Sequence, residues 1–411
     1  MSELEIEISA SPEVFFGVVG DSLLLFDPRD RRLHVLNNTA AMTWALTDAP
    51  ITALAILENL AAHFDVPVSQ IEDEVLSVLG QLIDARLCVV GESTAEVVPH
   101  QPAVSRNPDF EAKPTTLGPY IALGAMAVID VSDKRLHDEL GRILQPLLNL
   151  DVDPLASDRL LHYRVERAGD GFNLSLNGET LARGTTRATC KRSLLSNLNS
   201  GPLSFVAYSI VMHAAGVEID GRIMVFPGKS NSGKSTLATR LLSRGAAYLS
   251  DEALPVAMSN LSVGVYPKSL CLDAGAQRIF PMLDPQTPDA VADSSWDVDP
   301  EQIGDGGVSH GGAIDALVFP TFKTSAVDAS LEPLDPVDVA RQLLANTFDF
   351  VPLGQPAFAV LIRMANTIPG YALSHGGRGE VELIEELSAS LGQVTDATES
   401  PATAPAEAAT D

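Results

Sequence analysis

The chain has 411 residues, of which 27 are basic and 54 acidic, and its formal net charge is −27 at pH 7. This acidic excess opposes attraction to nucleic acid or to an anionic membrane surface, so neither is an expected partner. A hydrophobic share of 45% with 20% charged residues is typical of a globular protein long enough for two domains. The three cysteines are far apart and form no CxxC pair, which argues against a disulfide framework or a cysteine zinc site.

The sequence shows no pattern typical of a secretory signal or a membrane span. The first residues, Met-Ser-Glu-Leu-Glu-Ile-Glu, lack the basic and apolar regions of a secretory signal. No apolar run approaches the roughly 18 residues of a membrane span. We therefore expect a cytoplasmic protein.

Residues 1–92 form the first predicted domain. The turn residues Asp27-Pro28-Arg29-Asp30 separate two apolar runs and predict a hairpin. Three helical patterns follow, and Leu87–Val90 predicts a closing strand. Strands with three short helices indicate a small winged-helix-like domain, but without a basic recognition helix DNA binding is disfavoured.

The rest of the chain divides by composition. The polar, proline-rich stretch 93–117 predicts a linker. Strand and helix patterns resume over 118–391, which predicts an α/β (α+β) domain. The stretch 392–411, rich in Ala, Thr, Pro and Glu, is predicted to be disordered because it cannot bury a core.

The most informative motif is 228–235, which satisfies the pattern G-x-x-x-x-G-K-[ST]. An apolar run, Arg222–Phe226, predicts a buried strand before it, and 236–243 predicts a helix after it. Loop N–H groups and the positive helix end would then face the phosphates of ATP or GTP, with Lys234 at the terminal phosphates and Ser235 on Mg²⁺. The predicted nucleotide-binding residues are Gly228, Ser230, Asn231, Ser232, Gly233, Lys234, Ser235 and Thr236.

An acidic pair, Asp251 and Glu252, follows the next predicted strand, 246–250. Two parallel strands joined by a helix end at the same sheet edge, so both carboxylates should lie beside the phosphates. They are predicted to bind Mg²⁺ together with Ser235 and to accept a hydroxyl proton.

His213 can be placed by hairpin register. Asp220-Gly221 predicts a two-residue turn, and counting outward pairs His213 with Gly228, the first residue of the loop. We therefore predict His213 near the phosphates, either in catalysis or as a hydrogen-bond partner of the loop. Lys268 offers a further cation whose position the sequence does not determine.

Together, His213-Ala-Ala-Gly216, the loop, Arg244-Gly245 and Tyr248–Glu252 resemble the HPr kinase/phosphorylase-related kinases, whose core is similar to phosphoenolpyruvate carboxykinase. The resemblance covers roughly 119–390. It implies a P-loop kinase fold, ATP and Mg²⁺ as cofactors, and catalytic roles for His213, Lys234, Asp251 and Glu252. It also allows a homo-oligomer.

Three positions depart from that family's pattern. The acidic pair is Asp-Glu instead of Asp-Asp, and Asp273 and Thr321 stand where basic residues are frequent. These departures weaken neutralisation of charge in a phosphoryl-transfer transition state.

The first domain resembles the PqqD-like recognition elements of ribosomally made, modified peptides. The matching residues are Leu36-Asn37-Asn38-Thr39-Ala40-Ala41, Trp44, Leu46 and Asp48, with Ala49 in place of the usual Gly. The resemblance implies that a leader peptide is bound as an added β-strand beside a helix.

The combined prediction is an ATP- and Mg²⁺-dependent kinase that phosphorylates a Ser or Thr hydroxyl on a precursor peptide held by the N-terminal domain. A kinase of a small metabolite or free amino acid is one alternative. A non-catalytic protein in which ATP gates peptide binding is the other. GTP and pyrophosphate remain open as phosphoryl donors.

Overall fold

The computed structural model describes residues 3–91, 110–154, 160–200, 209–283, 295–325 and 328–398. Most of the predicted linker, 93–117, lies outside these ranges. Its end is structured, because Phe110 is buried against Val128 and Leu160 and a strand begins at Thr116. The last helix continues to Thr398, so the tail predicted to be disordered from residue 392 begins as helix. Residues 399–411 lie outside the described part.

The N-terminal unit contains two small sheets and three helices. Its strands are β1 (Glu7–Ala10), β2 (Phe15–Val19), β3 (Ser22–Asp27), β4 (Arg32–Leu36), β5 (Ile51–Thr52) and β6 (Cys88–Val90). Its helices are α1 (Asn38–Ala45), α2 (Ala53–Phe64) and α3 (Val68–Asp84). The predicted hairpin is confirmed, because β3 and β4 pair antiparallel across the turn. The Asn37 side chain accepts a hydrogen bond from the Ala40 N–H and so caps α1.

A second unit is built on a five-stranded sheet in the order β11-β10-β9-β8-β7. Its strands are β7 (Thr116–Ala122), β8 (Ala125–Val131), β9 (Leu160–Ala168), β10 (Gly171–Leu176) and β11 (Glu179–Thr185). Helices α4 (Lys134–Ile143) and α5 (Arg187–Ser200) belong to the same unit. Only β8 and β9 pair parallel within this sheet; the other pairs are antiparallel.

The central sheet has nine strands within the described residues, seven of them in the order β12-β16-β17-β20-β14-β13-β15, with β22 beside β20 and β21 beside β22. These strands are β12 (Ser209–Met212), β13 (Ala214–Ile219), β14 (Arg222–Pro227), β15 (Ala247–Ser250), β16 (Leu254–Ala257), β17 (Ser262–Val263), β20 (Gly312–Phe322), β21 (Ser330–Pro333) and β22 (Gly370–His375). A separate pair is formed by β18 (Leu270–Asp273) and β19 (Ser295–Val298). The helices are α6 (Lys234–Leu242), α7 (Ala274–Ile279), α8 (Pro336–Ala345), α9 (Gly354–Thr367) and α10 (Glu380–Thr398).

Strand β14 is buried on both faces, as its apolar run predicts. Ile223 and Val225 enter one core with α8 and α9, whereas Met224 and Phe226 enter another with α6 and α10. The hairpin of β13 and β14 has the predicted register, with Val217 opposite Met224. Asp220 and Gly221 both have positive φ, as a two-residue hairpin turn of type I′ requires.

The β14–α6–β15 unit differs from the expectation in one respect. Strand β15 does not lie next to β14, because β13 lies between them and pairs antiparallel with both. Two successive antiparallel pairings leave β14 and β15 pointing the same way. Both strands therefore end at the same sheet edge, as predicted.

The N-terminal sheet β2-β3-β4 packs directly on α9. One face, with Leu25, covers the core of α1–α3, and the other places Phe15, Val19, Leu24 and Phe26 in the core that contains Phe358 of α9. Fully burying such a side chain contributes about 1.5–3 kcal/mol relative to leaving it exposed. The N-terminal unit is therefore docked on the central domain as well as joined to it along the chain.

Two side-chain amides of α9 add directional bonds to this interface. Gln355 accepts from the Phe16 N–H at 2.9 Å and donates to the Phe16 carbonyl at 2.7 Å. Asn366 accepts from the Gly20 N–H at 3.1 Å and donates to the Val18 carbonyl at 2.8 Å. The edge of β2 is thus occupied by α9, since its backbone groups bond to these amides.

Candidate functional site

A cavity of about 250 Å³ lies where β14 and β15 end. Its lining residues are His213, Ser230, Asn231, Gly233, Lys234, Ser235, Thr236, Asp251, Glu252, Cys271 and Leu272. All four predicted catalytic residues and all three predicted metal ligands are among them. The structure therefore brings together predicted site residues from His213 to Glu252, which are 39 positions apart in the sequence.

Two of the predicted nucleotide-binding residues do not line the cavity. Gly228 faces the inside of the loop, where an added Cβ would lie 2.6 Å from the Ser232 hydroxyl oxygen. That hydroxyl is itself buried and has no hydrogen-bond partner among the described residues. The Ser232 hydroxyl therefore points into the loop, and Ser232 is absent from the cavity lining.

The glycine-rich loop, residues 228–233, leads directly into helix α6. Asn231 and Gly233 adopt positive φ values of 66° and 94°. Gly233 occupies the N-cap position and offers no side chain to the first turn of α6. The N–H groups of this turn, where the helix dipole is positive, are therefore directed toward the cavity.

Lys234 is the first residue of α6, and it is the lysine that lines the cavity. Its ammonium group donates to the carbonyls of Gly228 at 2.6 Å and Lys229 at 2.8 Å. Burial lowers the pKa of Lys234 to about 8, although the carboxylates of Asp251 and Glu252 act in the opposite direction. The side chain is therefore mostly charged at neutral pH and lies beside the helix end.

The two carboxylates have different surroundings. The Asp251 side chain is only 2% exposed, and it accepts from the Tyr248 hydroxyl at 3.2 Å and from the Cys271 N–H at 3.0 Å. The Glu252 side chain is 37% exposed at the cavity wall. Glu252 is therefore the more accessible carboxylate.

Lys268 joins the two carboxylates. Its ammonium nitrogen lies 2.9 Å from Glu252 Oε2 and 3.5 Å from Asp251 Oδ1, and its side chain is 3% exposed. Burial alone would lower the pKa of Lys268, but the two carboxylates raise it well above its ordinary value. The Lys268 side chain therefore places a permanent positive charge beside Asp251 and Glu252. The sequence alone did not determine the position of Lys268.

This lysine affects the two carboxyl groups unequally. Burial raises the pKa of Asp251, and the positive charge of Lys268 only partly opposes that rise. Burial would also raise the pKa of Glu252, but its short ion pair with Lys268 outweighs burial and lowers it. Asp251 is therefore the better proton acceptor, and Glu252 remains ionised over a wider pH range.

His213 lies between β12 and β13. The Gly228 N–H donates to its carbonyl at 3.2 Å, which confirms the predicted pairing of the two residues. Burial, assisted by the charge of Lys234, lowers the pKa of the His213 imidazole to about 4, with Glu252 opposing. The imidazole is therefore neutral at pH 7, with one ring nitrogen that can donate a hydrogen bond and one that can accept a hydrogen bond.

Another histidine, His375, lies beneath the loop and was not identified from the sequence. It ends β22 and is 2% exposed. A Cβ added to Gly233 would lie 2.9 Å from its Nε2 atom. Strand β22 reaches the loop only through its parallel pairing with β20, which in turn pairs with β14. No local pattern in the sequence indicates such a pairing.

Two comparisons with known proteins bear on this chain. Residues 22–87 match the family model of Coenzyme PQQ synthesis protein D (PqqD), so this part of the chain is a PqqD domain. Among solved structures, the chain is weakly similar to the HPr(Ser) kinase/phosphatase from Coxiella burnetii. The identity is 16%, the TM-score is 0.27, and the match covers 46% of this chain and 94% of that one. No curated protein matches the chain.

Two further observations concern metals and membranes. In the described ranges, no group of three or more His, Cys, Asp or Glu side chains is arranged to hold a metal ion. None of the helices described above combines the length and hydropathy needed to cross a bilayer.

Proposed function

We propose that this protein is an ATP- and Mg²⁺-dependent kinase that phosphorylates a Ser or Thr hydroxyl on a ribosomally made precursor peptide. The observation that carries the proposal is a combination within one chain. A PqqD domain is docked on a unit whose cavity brings together Lys234, a neutral His213 and two carboxylates. PqqD domains supply peptide recognition, and such a cavity has the groups that phosphoryl transfer needs.

The residues of the loop fit a polyphosphate. The first turn of α6 directs N–H groups toward the cavity, and Lys234 adds a positive charge beside them. The Lys234 ammonium would exchange the Gly228 and Lys229 carbonyls for phosphate oxygens. Its role is to bind the terminal phosphates and to stabilise charge as transfer proceeds.

We assign different roles to the carboxylates of Asp251 and Glu252. Asp251 accepts the proton of the acceptor hydroxyl, because burial raises its pKa toward the range of a general base. Glu252 stays ionised and faces the cavity, so it would hold Mg²⁺ with the Ser235 hydroxyl, directly or through water. When bound, Mg²⁺ neutralises phosphate charge and orients the transferred group.

Lys268 fits this scheme as a fixed counter-charge. In a family pattern with two adjacent aspartates, as implied by the resemblance above, both carboxylates are equally short. Here the longer Glu252 side chain reaches Lys268 and the cavity together. Positions 273 and 321 carry Asp and Thr, so they supply no positive charge to the site. Lys268 therefore supplies part of the positive charge that basic residues there would provide.

Capture of the peptide belongs to the PqqD domain. In the sheet β2-β3-β4, α9 covers the edge of β2, whereas β4 is the opposite edge. Peptide addition to a sheet needs an edge with free backbone groups, so we place the leader peptide along β4. Docking of the domain then keeps the captured peptide near the cavity at an effective concentration of about millimolar.

The test is phosphorylation of a precursor peptide by the full-length protein. Candidate precursors encoded beside this gene would be synthesised with and without their leader segments and incubated at low micromolar concentration with ATP and Mg²⁺. We expect phosphate on a Ser or Thr of the complete peptide, and a rate about 10²-fold lower without the leader, because its effective concentration is lost. Mass spectrometry of the products measures both.

The controls separate the alternatives. Excess free leader peptide should inhibit modification of the complete precursor by competing for the PqqD domain. Equal rates with and without the leader would instead favour a kinase of small metabolites or free amino acids. Tight ATP binding without transfer to any acceptor would favour the non-catalytic, ATP-gated protein.

A further inference from the structure

A short segment, Asn346–Phe350, connects the candidate active site with the N-terminal unit; we call it the bridge segment. It follows α8 and runs beside β12. The Phe348 N–H donates to the Val211 carbonyl at 2.9 Å, and Thr347 forms a β-bridge with Met212. The segment is thus attached to the strand that leads directly into His213.

One end of the bridge segment holds His213 itself. The His213 N–H donates to the Asn346 carbonyl at 2.7 Å. The imidazole packs against the Phe348 ring, with centroids 5.6 Å apart and a tilt of 47°. His213 lies between the two strands, and its carbonyl is bonded only to the Gly228 N–H among the described backbone groups. The bridge segment holds its N–H and its ring.

The other end of the bridge segment contacts the N-terminal unit. Phe350 is 2% exposed, and its ring lies 5.3 Å from that of Phe26 in β3. The Asp349 carboxylate lies 3.3 Å from the Arg31 guanidinium in the turn before β4. Five consecutive residues therefore contact the peptide-recognition domain on one side and the cavity histidine on the other.

We propose that the bridge segment makes the docked N-terminal unit a positioning part of the candidate active site, with Phe26 and Phe350 setting the pose of His213 through Phe348 and Asn346. The N-terminal domain then does more than capture a peptide. Its seating on α9 also determines how the imidazole is presented to the cavity. This role in catalysis rests on the proposed function, whereas the contacts themselves do not.

The chain offers a matched control for this path. Phe358 of α9 is also fully buried and also contacts the Phe26 ring, at 5.9 Å. Phe358 lies outside the bridge segment. Phe350→Leu and Phe358→Leu therefore each remove an aromatic contact with Phe26, and Phe358→Leu also removes one with Phe15. Only Phe350→Leu acts on the segment that holds His213.

The primary measurement is the pKa of His213 by NMR of the full-length protein labelled at histidine ¹³Cε1, with the signal assigned through His213→Gln. The charged groups facing His213 are Lys234 and Glu252, and neither is altered. We expect Phe350→Leu and Phe26→Leu to raise the pKa from about 4 by roughly one unit, because water reaches a less tightly packed imidazole. Phe358→Leu should leave it nearly unchanged. Equal shifts in Phe350→Leu and Phe358→Leu, or no shift in either, would overturn the proposal.

A second measurement does not depend on core substitutions. Arg31→Ala removes an exposed ion pair and should fold normally. Amide hydrogen exchange at His213 should become about two- to fivefold faster, the range expected for an exposed pair. Asp338→Ala breaks the comparable exposed pair with Arg341 within α8 and should leave this exchange rate unchanged. Identical exchange in the wild type and Arg31→Ala would contradict the proposal.

Transfer rates separate this inference from the proposed function. If the protein phosphorylates its acceptor, Phe350→Leu should lower kcat with little change in the KM for ATP. If it does not, the NMR and exchange results still test the bridge segment. Normal transfer with an unresponsive His213 would reject the positioning role alone.

Discussion

Replacing Lys234 with alanine should lower the rate of phosphoryl transfer by about 10²–10³ and weaken nucleotide binding. The change removes the lysine that lies in the first turn of α6 and lines the cavity. Transfer assays with labelled ATP, together with calorimetric titration of nucleotide, measure both effects.

The control and the pH profile sharpen this prediction. Lys134→Ala makes the same change in net charge on exposed α4 and should leave both quantities unchanged. Because the pKa of Lys234 is about 8, nucleotide affinity of the wild type should fall as pH rises through 8, when the ammonium loses its proton. Lys234→Arg should shift this fall to higher pH. Wild-type turnover by Lys234→Ala would reject the nucleotide assignment of the loop.

Asp251→Asn should lower transfer by about 10²–10⁴ while ATP still binds, because the variant removes the proton acceptor. In the wild type the rate should decline as pH falls through the raised pKa of Asp251, since protonation inactivates a base. This acidic limb should be lost in the residual activity of Asp251→Asn. Asp338→Asn, an exposed change of the same charge, is the control.

Glu252→Gln should behave differently from Asp251→Asn. It should raise the Mg²⁺ concentration needed for half-maximal rate, because Glu252 is the carboxylate that remains ionised at the cavity wall. If excess Mg²⁺ restored Asp251→Asn but not Glu252→Gln, the two roles would have to be exchanged. If neither variant altered transfer, the non-catalytic alternative would stand first. Thermal unfolding of each variant shows whether loss of a partner for buried Lys268 has destabilised the fold.

Docking of the N-terminal unit bears on the peptide-capture role that we propose for it. A flexible linker alone would let the captured peptide sample a large volume. The contacts of α9 with β2, and of Phe350 with Phe26, hold the unit in one orientation beside the central sheet. The stretch Leu23-Leu24-Leu25-Phe26 carries a sequence signal for this arrangement, because an uninterrupted apolar strand is typical of a sheet covered on both faces.

Local sequence patterns by themselves determined the main features around the loop. The Asp220-Gly221 turn sets a hairpin register that puts His213 opposite Gly228, and side-chain alternation assigns β14 to two cores. The glycine-rich loop and its flanking strand and helix follow from residues that are neighbours in the chain. Such features are predictable because turn chemistry and periodicity act over a few residues.

Only the tertiary structure determined which charged side chains and which packed residues come into contact. Lys268 reaches the acidic pair, His375 lies beneath the loop, and the bridge segment connects Phe26 with His213 only because distant segments pack together. The different pKa shifts of Asp251 and Glu252 also depend on burial and on one shared lysine. Desolvation and ion pairing act through space over a few ångströms, so residues far apart in sequence determine them and no local pattern encodes the result.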